Sequence, residues 1–133
     1  MCGINGLFIL DGRMPVDGKE LISKMNYCIR HRGPDDTGIW SDAARGIFLG
    51  HQRLSIIDLS PTGHQPMLDE RGNAIVFNGE IYNYKSLKSE IKEHHFKSES
   101  DTEVLLNLYA KKGHATLTDL NGMFSFSFWN KEK

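Results

Sequence analysis

Cysteine is scarce in this chain: Cys2 and Cys28 are the only two among 133 residues. Two cysteines cannot build a disulfide framework, so stability must come from an apolar core, and a reducing, cytoplasmic setting is expected. An excess of either charge is also lacking. Sixteen Lys and Arg against 17 Asp and Glu leave a formal net charge of −1, with no basic or acidic block. Nucleic acid and anionic membrane are therefore not expected as partners. No apolar run approaches the roughly 20 residues of a membrane-spanning helix. The opening Met-Cys-Gly-Ile-Asn-Gly-Leu-Phe-Ile-Leu lacks a basic region and is broken by glycines, so it does not read as a secretory signal. Cys2 also occupies the position that a myristoylation signal reserves for glycine. What is present, 39% hydrophobic and 25% charged residues, suits a single globular domain with a core of its own.

Hydrophobic periodicity predicts strands and helices in mixed order. Gly3 to Leu10 reads as a strand ended by an Asp11-Gly12 turn. Asp17 offers a cap with Glu20 three residues on. Leu21, Ile22, Met25, Cys28 and Ile29 then form one apolar helix face, with Cys28 as a small core residue. Arg32-Gly33-Pro34-Asp35-Asp36 breaks that helix. Gly46 to Ile57 reads as one or two strands, and Ser60-Pro61-Thr62-Gly63 as a loop. Ala74 to Phe77 is a short buried strand ending at Asn78-Gly79. Tyr84, Leu87 and Ile91 mark a second helix, and Ser100-Asp101-Thr102-Glu103 opens a third that Gly113 closes. Phe124, Phe126 and Phe128 alternate with Ser125 and Ser127 as a strand with one apolar face. Regular βαβ alternation is missing, so the class is α+β with a mainly antiparallel sheet. Asn130-Lys131-Glu132-Lys133 looks like a turn awaiting another strand, and the chain is expected to be a truncated domain.

Cys2 stands directly behind Met1. If Met1 is removed, the chain begins with a residue that carries both a thiol and a free α-amine. An α-amine titrates near pH ~8 and can act as general base beside a thiol nucleophile. The plainer alternative is a cysteine placed second by chance. Asn78-Gly79 offers a side-chain amide and a glycine N–H to an oxyanion, or else forms an ordinary hairpin turn. Arg53 suits a substrate carboxylate or the solvent face of a strand. Asp101 suits a substrate ammonium, or opposes the helix dipole from the first turn. Together, a thiol, an amine, amide donors, one cation and one anion suffice to bind and cleave an amino-acid carboxamide. The six histidines show no ligand spacing, so no metal site is expected.

Six motifs occur in a telling order: Met1-Cys2-Gly3-Ile4, His31-Arg32-Gly33-Pro34-Asp35, Arg53-Leu54-Ser55-Ile56-Ile57-Asp58, Gly63-His64-Gln65-Pro66, Asn78-Gly79-Glu80-Ile81-Tyr82-Asn83 and Ser100-Asp101-Thr102-Glu103. With them the sequence closely resembles the N-terminal glutaminase domain of glutamine-hydrolysing asparagine synthetases. These are class II amidotransferases of the N-terminal-nucleophile type, built as an αββα sandwich with mainly antiparallel sheets. The resemblance assigns residues 1–133 to one such domain, incomplete at its C-terminal strands. It implies that Cys2 is the nucleophile and that Asn78 and Gly79 are the oxyanion donors. Arg53 would bind the glutamine α-carboxylate and Asp101 its α-ammonium, with Glu80 and the backbone at Ile56 and Ile57 as further glutamine contacts. A γ-glutamyl thioester would form with release of ammonia, and water would hydrolyse it to glutamate. No cofactor is implied for this step; ATP and Mg belong to an absent synthetase domain that would use the ammonia on aspartate. That domain, glutamine and, as a homodimer, a second copy are the implied partners. The run from Arg53 to Asp58 favours this branch over relatives that make glucosamine phosphate or phosphoribosylamine. Rival readings are the same glutaminase serving another acceptor such as a sugar acid, an inactive glutamine-binding fragment, or a redox or structural thiol protein.

Overall fold

The computed structural model describes residues 1–10 and 17–133; the expected Asp11-Gly12 turn lies outside the described residues. The elements in chain order are β1 (Gly3–Phe8), α1 (Gly18–Cys28), β2 (Asp36–Asp42), β3 (Ile47–Arg53), β4 (Met67–Leu68), β5 (Ala74–Ile81), α2 (Tyr84–Glu90), α3 (Asp101–Lys112) and β6 (Gly122–Trp129). The strands form two antiparallel sheets, ordered β1-β3-β2 and β4-β5-β6. The α+β class with antiparallel sheets is thus the observed one.

Alternation along β3 gives the sheets their two sides. Ile47 and Leu49 face the second sheet, where they meet Ala74 and Val76 of β5. Phe48 and Gly50 face the other way, toward α1. The Phe48 ring lies so close to Gly18 that a Cβ there would overlap it. Asn26, buried in α1, pins the helix down: its Nδ2 donates to the Gly38 carbonyl at 3.0 Å, and its Oδ1 accepts from Asn5 at 2.6 Å. On the far side of the second sheet, Ile75, Phe77 and Ile81 pack against Leu87, Val104, Leu105 and Leu108. Phe124, Phe126 and Phe128 join that cluster from β6, as their period-two spacing predicts, and Tyr109 meets Phe126 edge-on at 5.1 Å. The layers therefore run helix, sheet, sheet, helix.

Both predicted caps form, each in its simpler version. Asp17 accepts from Lys19 N at 2.9 Å while Glu20 turns to Lys24, and Ser100 accepts from Thr102 N at 3.0 Å. Gly113 ends α3 at φ 59°, where a side chain would be strained. Four expectations need correction. Cys28 is exposed, because at 3.6 residues per turn it points about 120° away from Ile22, the centre of the buried stripe Gly18-Ile22-Asn26. The strand through Gly46–57 stops at Arg53, and Leu54, Ile56 and Ile57 lie in a loop, with Ile56 67% exposed. β2 was not anticipated, since Gly38 and its polar neighbours hide its alternation. Finally, β5 does not end at Asn78-Gly79 but carries on through them to Ile81, paired with β6 all the way.

Candidate active site

A small cavity of ≈ 230 Å³ opens between the start of β1, the loop after β3, the second half of β5 and the first turn of α3. Cys2, Arg53, Ile56, Ile57, Asn78, Gly79, Glu80 and Asp101 all line it. Residues up to 99 positions apart thus converge on one space. Larger clefts exist: ≈ 500 Å³ beside the β1 and β6 edges and ≈ 670 Å³ behind Arg53. Neither contains Cys2 or Asp101, so the smaller cavity is where the chemistry-bearing groups meet.

Cys2 is held at the end of β1 by its neighbours across the sheet. Its Sγ accepts from Leu54 N–H at 3.3 Å and lies 3.5 Å from the Leu54 carbonyl, while Arg32 Nε donates to its backbone carbonyl at 3.0 Å. An N–H aimed at the sulfur suits the thiolate, the form in which a cysteine attacks. Met1 precedes it, largely exposed at the cavity mouth.

Two buried charges line the cavity with Cys2, and among the described residues neither forms a salt bridge. Arg53 is 7% exposed, and its guanidinium donates to the backbone carbonyls of Ser60, at 2.8 Å, and Asp58. Those two bonds fold the Asp58–Ser60 loop over the side chain, which is why β3 ends there. Gly63 lies against the same guanidinium and leaves no room for a Cβ. Among the described residues, no carboxylate forms a salt bridge with Arg53. Asp101, 5% exposed, accepts from Ile81 N at 3.0 Å. Burial pushes its pKa up, against the opposing pull of the Ile81 and Thr102 N–H groups, and the nearby Glu80 carboxylate adds to the rise. A cation arriving between them would relieve that cost.

The Asn78-Gly79 pair gains its geometry from being inside a strand. Odd-numbered residues of β5 turn their N–H and C=O away from β6: the Phe77 N–H goes to Gln65 and the Ile81 N–H to Asp101, whereas Tyr82 N pairs with Asn121 beside β6. The same alternation points the Gly79 N–H toward the cavity. Gly79 has φ 156°, and a Cβ there would overlap the Met123 carbonyl oxygen. Asn78 Oδ1 is buried without a partner, and no hydrogen bond ties down its amide among the described residues. An amide and an N–H are therefore both uncommitted beside Cys2.

Residue-by-residue reading missed the supports. Arg32, Asp35, Gly63 and Gln65 fall inside quoted motifs, yet only tertiary contacts reveal their partners. Asp35 Oδ2 accepts from Ser55 N at 2.7 Å and so steadies the loop that Leu54 begins. No sequence signal marked His51.

Comparison with known proteins accords with this arrangement. The profile of the glutamine amidotransferase domain matches residues 1–133, so the chain belongs to that family. Its relatives include a putative asparagine synthetase [glutamine-hydrolyzing] 2 of Methanocaldococcus jannaschii, 44% identical over 150 residues, covering 100% of this chain and 28% of the relative. Asparagine synthetase B of Escherichia coli is 40% identical over 138 residues, covering 100% and 24%. Amidase chry2 of Gibberella zeae is 39% identical over 143 residues, covering 100% and 21%. The chain thus spans about a quarter of the length of these relatives. Among the described residues, no helix is long and apolar enough to cross a membrane.

Proposed function

We propose that this chain is the glutaminase part of an asparagine synthetase, hydrolysing glutamine to glutamate and ammonia through a thioester on Cys2. The observation that carries the reading is that two buried charges of opposite sign, Arg53 and Asp101, neither in a salt bridge among the described residues, line one small cavity together with Cys2. An amino acid brings the matching carboxylate and ammonium, and its side chain then extends toward the thiol and the Asn78-Gly79 donors.

In this mechanism the Cys2 sulfur attacks the glutamine carboxamide carbon, and the oxygen takes up the electron pair of the C=O bond. Asn78 Nδ2 and the Gly79 N–H stabilise that oxyanion; one such donor is worth roughly 3 kcal/mol in the transition state. With Met1 removed, the Cys2 α-amine takes the thiol proton and delivers it to the departing nitrogen, which leaves as ammonia. Water attacks the thioester carbonyl, the C–S bond breaks, glutamate leaves as product and the Cys2 thiol is restored. Glu80 and the backbone at Ile56 and Ile57, which line the cavity, complete the glutamine contacts. The helix-sheet-sheet-helix layering supports an N-terminal-nucleophile hydrolase sandwich. The relatives' names, asparagine synthetase [glutamine-hydrolyzing], support a synthetase domain as the user of the ammonia; the glutaminase step itself calls on no ATP or Mg, which would belong to that domain.

Intact-mass spectrometry before and after treatment with an electrophilic glutamine analogue tests the reading. The expected result is a chain without Met1 that gains one adduct on Cys2, blocked by excess glutamine. A processed chain that gains no adduct, or gains one regardless of glutamine, would overturn it.

A further inference from the structure

We propose that His51 and Gln65 are positioning residues for the oxyanion-binding stretch of β5: their side chains replace a neighbouring strand at Phe77 and so fix where the Gly79 N–H points. The inference rests on the glutaminase reading above.

The free edge of β5 carries the argument. Met67 of β4 stands opposite Ile75, so the same register continued by two residues would put Gln65 opposite Phe77. β4 is only Met67–Leu68, however, and the main chain has already departed. Side chains do the work of the missing strand. Gln65 Oε1 accepts from Phe77 N at 2.7 Å, and His51 Nε2 lies 3.2 Å from the Phe77 carbonyl. A carbonyl can only accept, so His51 holds its proton on Nε2 and donates. Two residues further along, the next edge N–H is that of Gly79; two more, and the Ile81 N–H is taken by Asp101. Gly79 is therefore the gap between two clamped positions, and among the described residues no side chain bonds to it. Gly79 lines the same cavity as Cys2.

The clamp also spans the elements that handle the rest of the substrate. His51 lies two residues before Arg53 on β3, and Gln65 Nε2 donates at 3.2 Å to Thr102, the neighbour of Asp101 on α3. Both clamping side chains are buried, and His51 leaves its Nδ1 buried without a partner. Keeping an unpaired polar atom costs stability that an apolar residue would not incur. A packing role alone does not account for a histidine here; donation to the Phe77 carbonyl does.

The test is steady-state glutamine hydrolysis by the wild-type chain, His51→Leu, His51→Gln and Gln65→Met, each checked for folding by circular dichroism. The side-chain amide of Gln can donate to the same carbonyl, and Leu cannot. For His51→Leu, kcat is expected to fall about 10-fold or more, within the ~10²–10³-fold that a whole oxyanion donor is worth. KM should stay near wild type, because the charges that bind glutamine are untouched. His51→Gln should recover most of the loss, and Gln65→Met should repeat it by releasing the Phe77 N–H, which keeps the test decisive if His51→Leu fails to fold. Wild-type kcat in the folded Leu and Met variants, or a loss in His51→Gln equal to that in His51→Leu, overturns the positioning role alone. A processed wild-type chain that hydrolyses no glutamine removes the glutaminase reading and this inference together.

Discussion

His51 should make the fold acid-sensitive well above the carboxylate range. It is fully buried, and burial lowers its pKa from 6.5 to about 4, against the opposing pull of the Phe77 carbonyl. Arg53, two residues along the strand, and His64 lower it further, whereas Asp36 raises it. Above pH 6.5 the imidazole is neutral in both folded and unfolded chains and has no effect. As pH falls below 6.5 the unfolded chain binds a proton that the folded chain refuses until about pH 4. Stability is therefore present above the unfolded pKa and drains away as pH falls toward the folded one. Between pH 7 and pH 5 the loss from this residue is about 2 kcal/mol. For a chain of this size that corresponds to a Tm lower by about 7 °C. The assay is urea unfolding of wild type and His51→Gln at both pH values. Subtracting one from the other cancels the remaining histidines and the carboxylates. The wild type should lose about 2 kcal/mol more than the variant on going from pH 7 to pH 5. Equal losses in both proteins would mean that His51 takes up its proton in the folded state, and would refute the reasoning.

Five further outcomes are expected. Cys2→Ala should abolish glutamine hydrolysis with its Tm unchanged, and chain retaining Met1 should be equally inactive because its Cys2 nitrogen is an amide; normal turnover in either preparation refutes the mechanism. Arg53→Lys should raise KM for glutamine by roughly 10- to 100-fold, since the bidentate fork and the bonds to Asp58 and Ser60 cannot both be kept. Asp101→Asn should raise KM while leaving Tm at pH 7 no lower than wild type, because the pKa of Asp101 is raised and its ionised form weakens the fold as pH rises. A fall in Tm without a change in KM would show the carboxylate to be structural. Gly79→Ala should lower kcat by about 10²-fold or more and loosen β5 from β6, as its Cβ would overlap the Met123 carbonyl. Glu103→Gln should cost about 2 kcal/mol in urea unfolding at pH 7. Burial raises the Glu103 pKa, but bonds from Ser98, His94 and Lys97 outweigh that and hold it low, so an amide there would set donors against the Lys97 and Ser98 N–H groups.

The linear order of residues determined a good deal by itself. Local chemistry sufficed for the caps at Asp17 and Ser100, the stop at Gly113 and the alternating Phe124-Phe126-Phe128 strand, because each depends on neighbours within a few positions. The resemblance carried by six motifs likewise gave the family and the candidate residues. Tertiary structure alone decided what those residues do to one another. Whether Asn78-Gly79 is a turn or a strand interior depends on β6, more than 40 residues later in the chain, which pairs with it throughout. Arg53 faces inward rather than to solvent because carbonyls from its own downstream loop capture the guanidinium. Cys28 is exposed because Phe48 of β3, packed against Gly18, sets which stripe of α1 faces inward. His51 carries no local signature at all: its role arises where β4 runs out and a side chain from the other sheet reaches the vacant edge of β5. A strand edge is satisfied or left open by whatever lies beside it in space, and that neighbour is not written in the adjacent sequence.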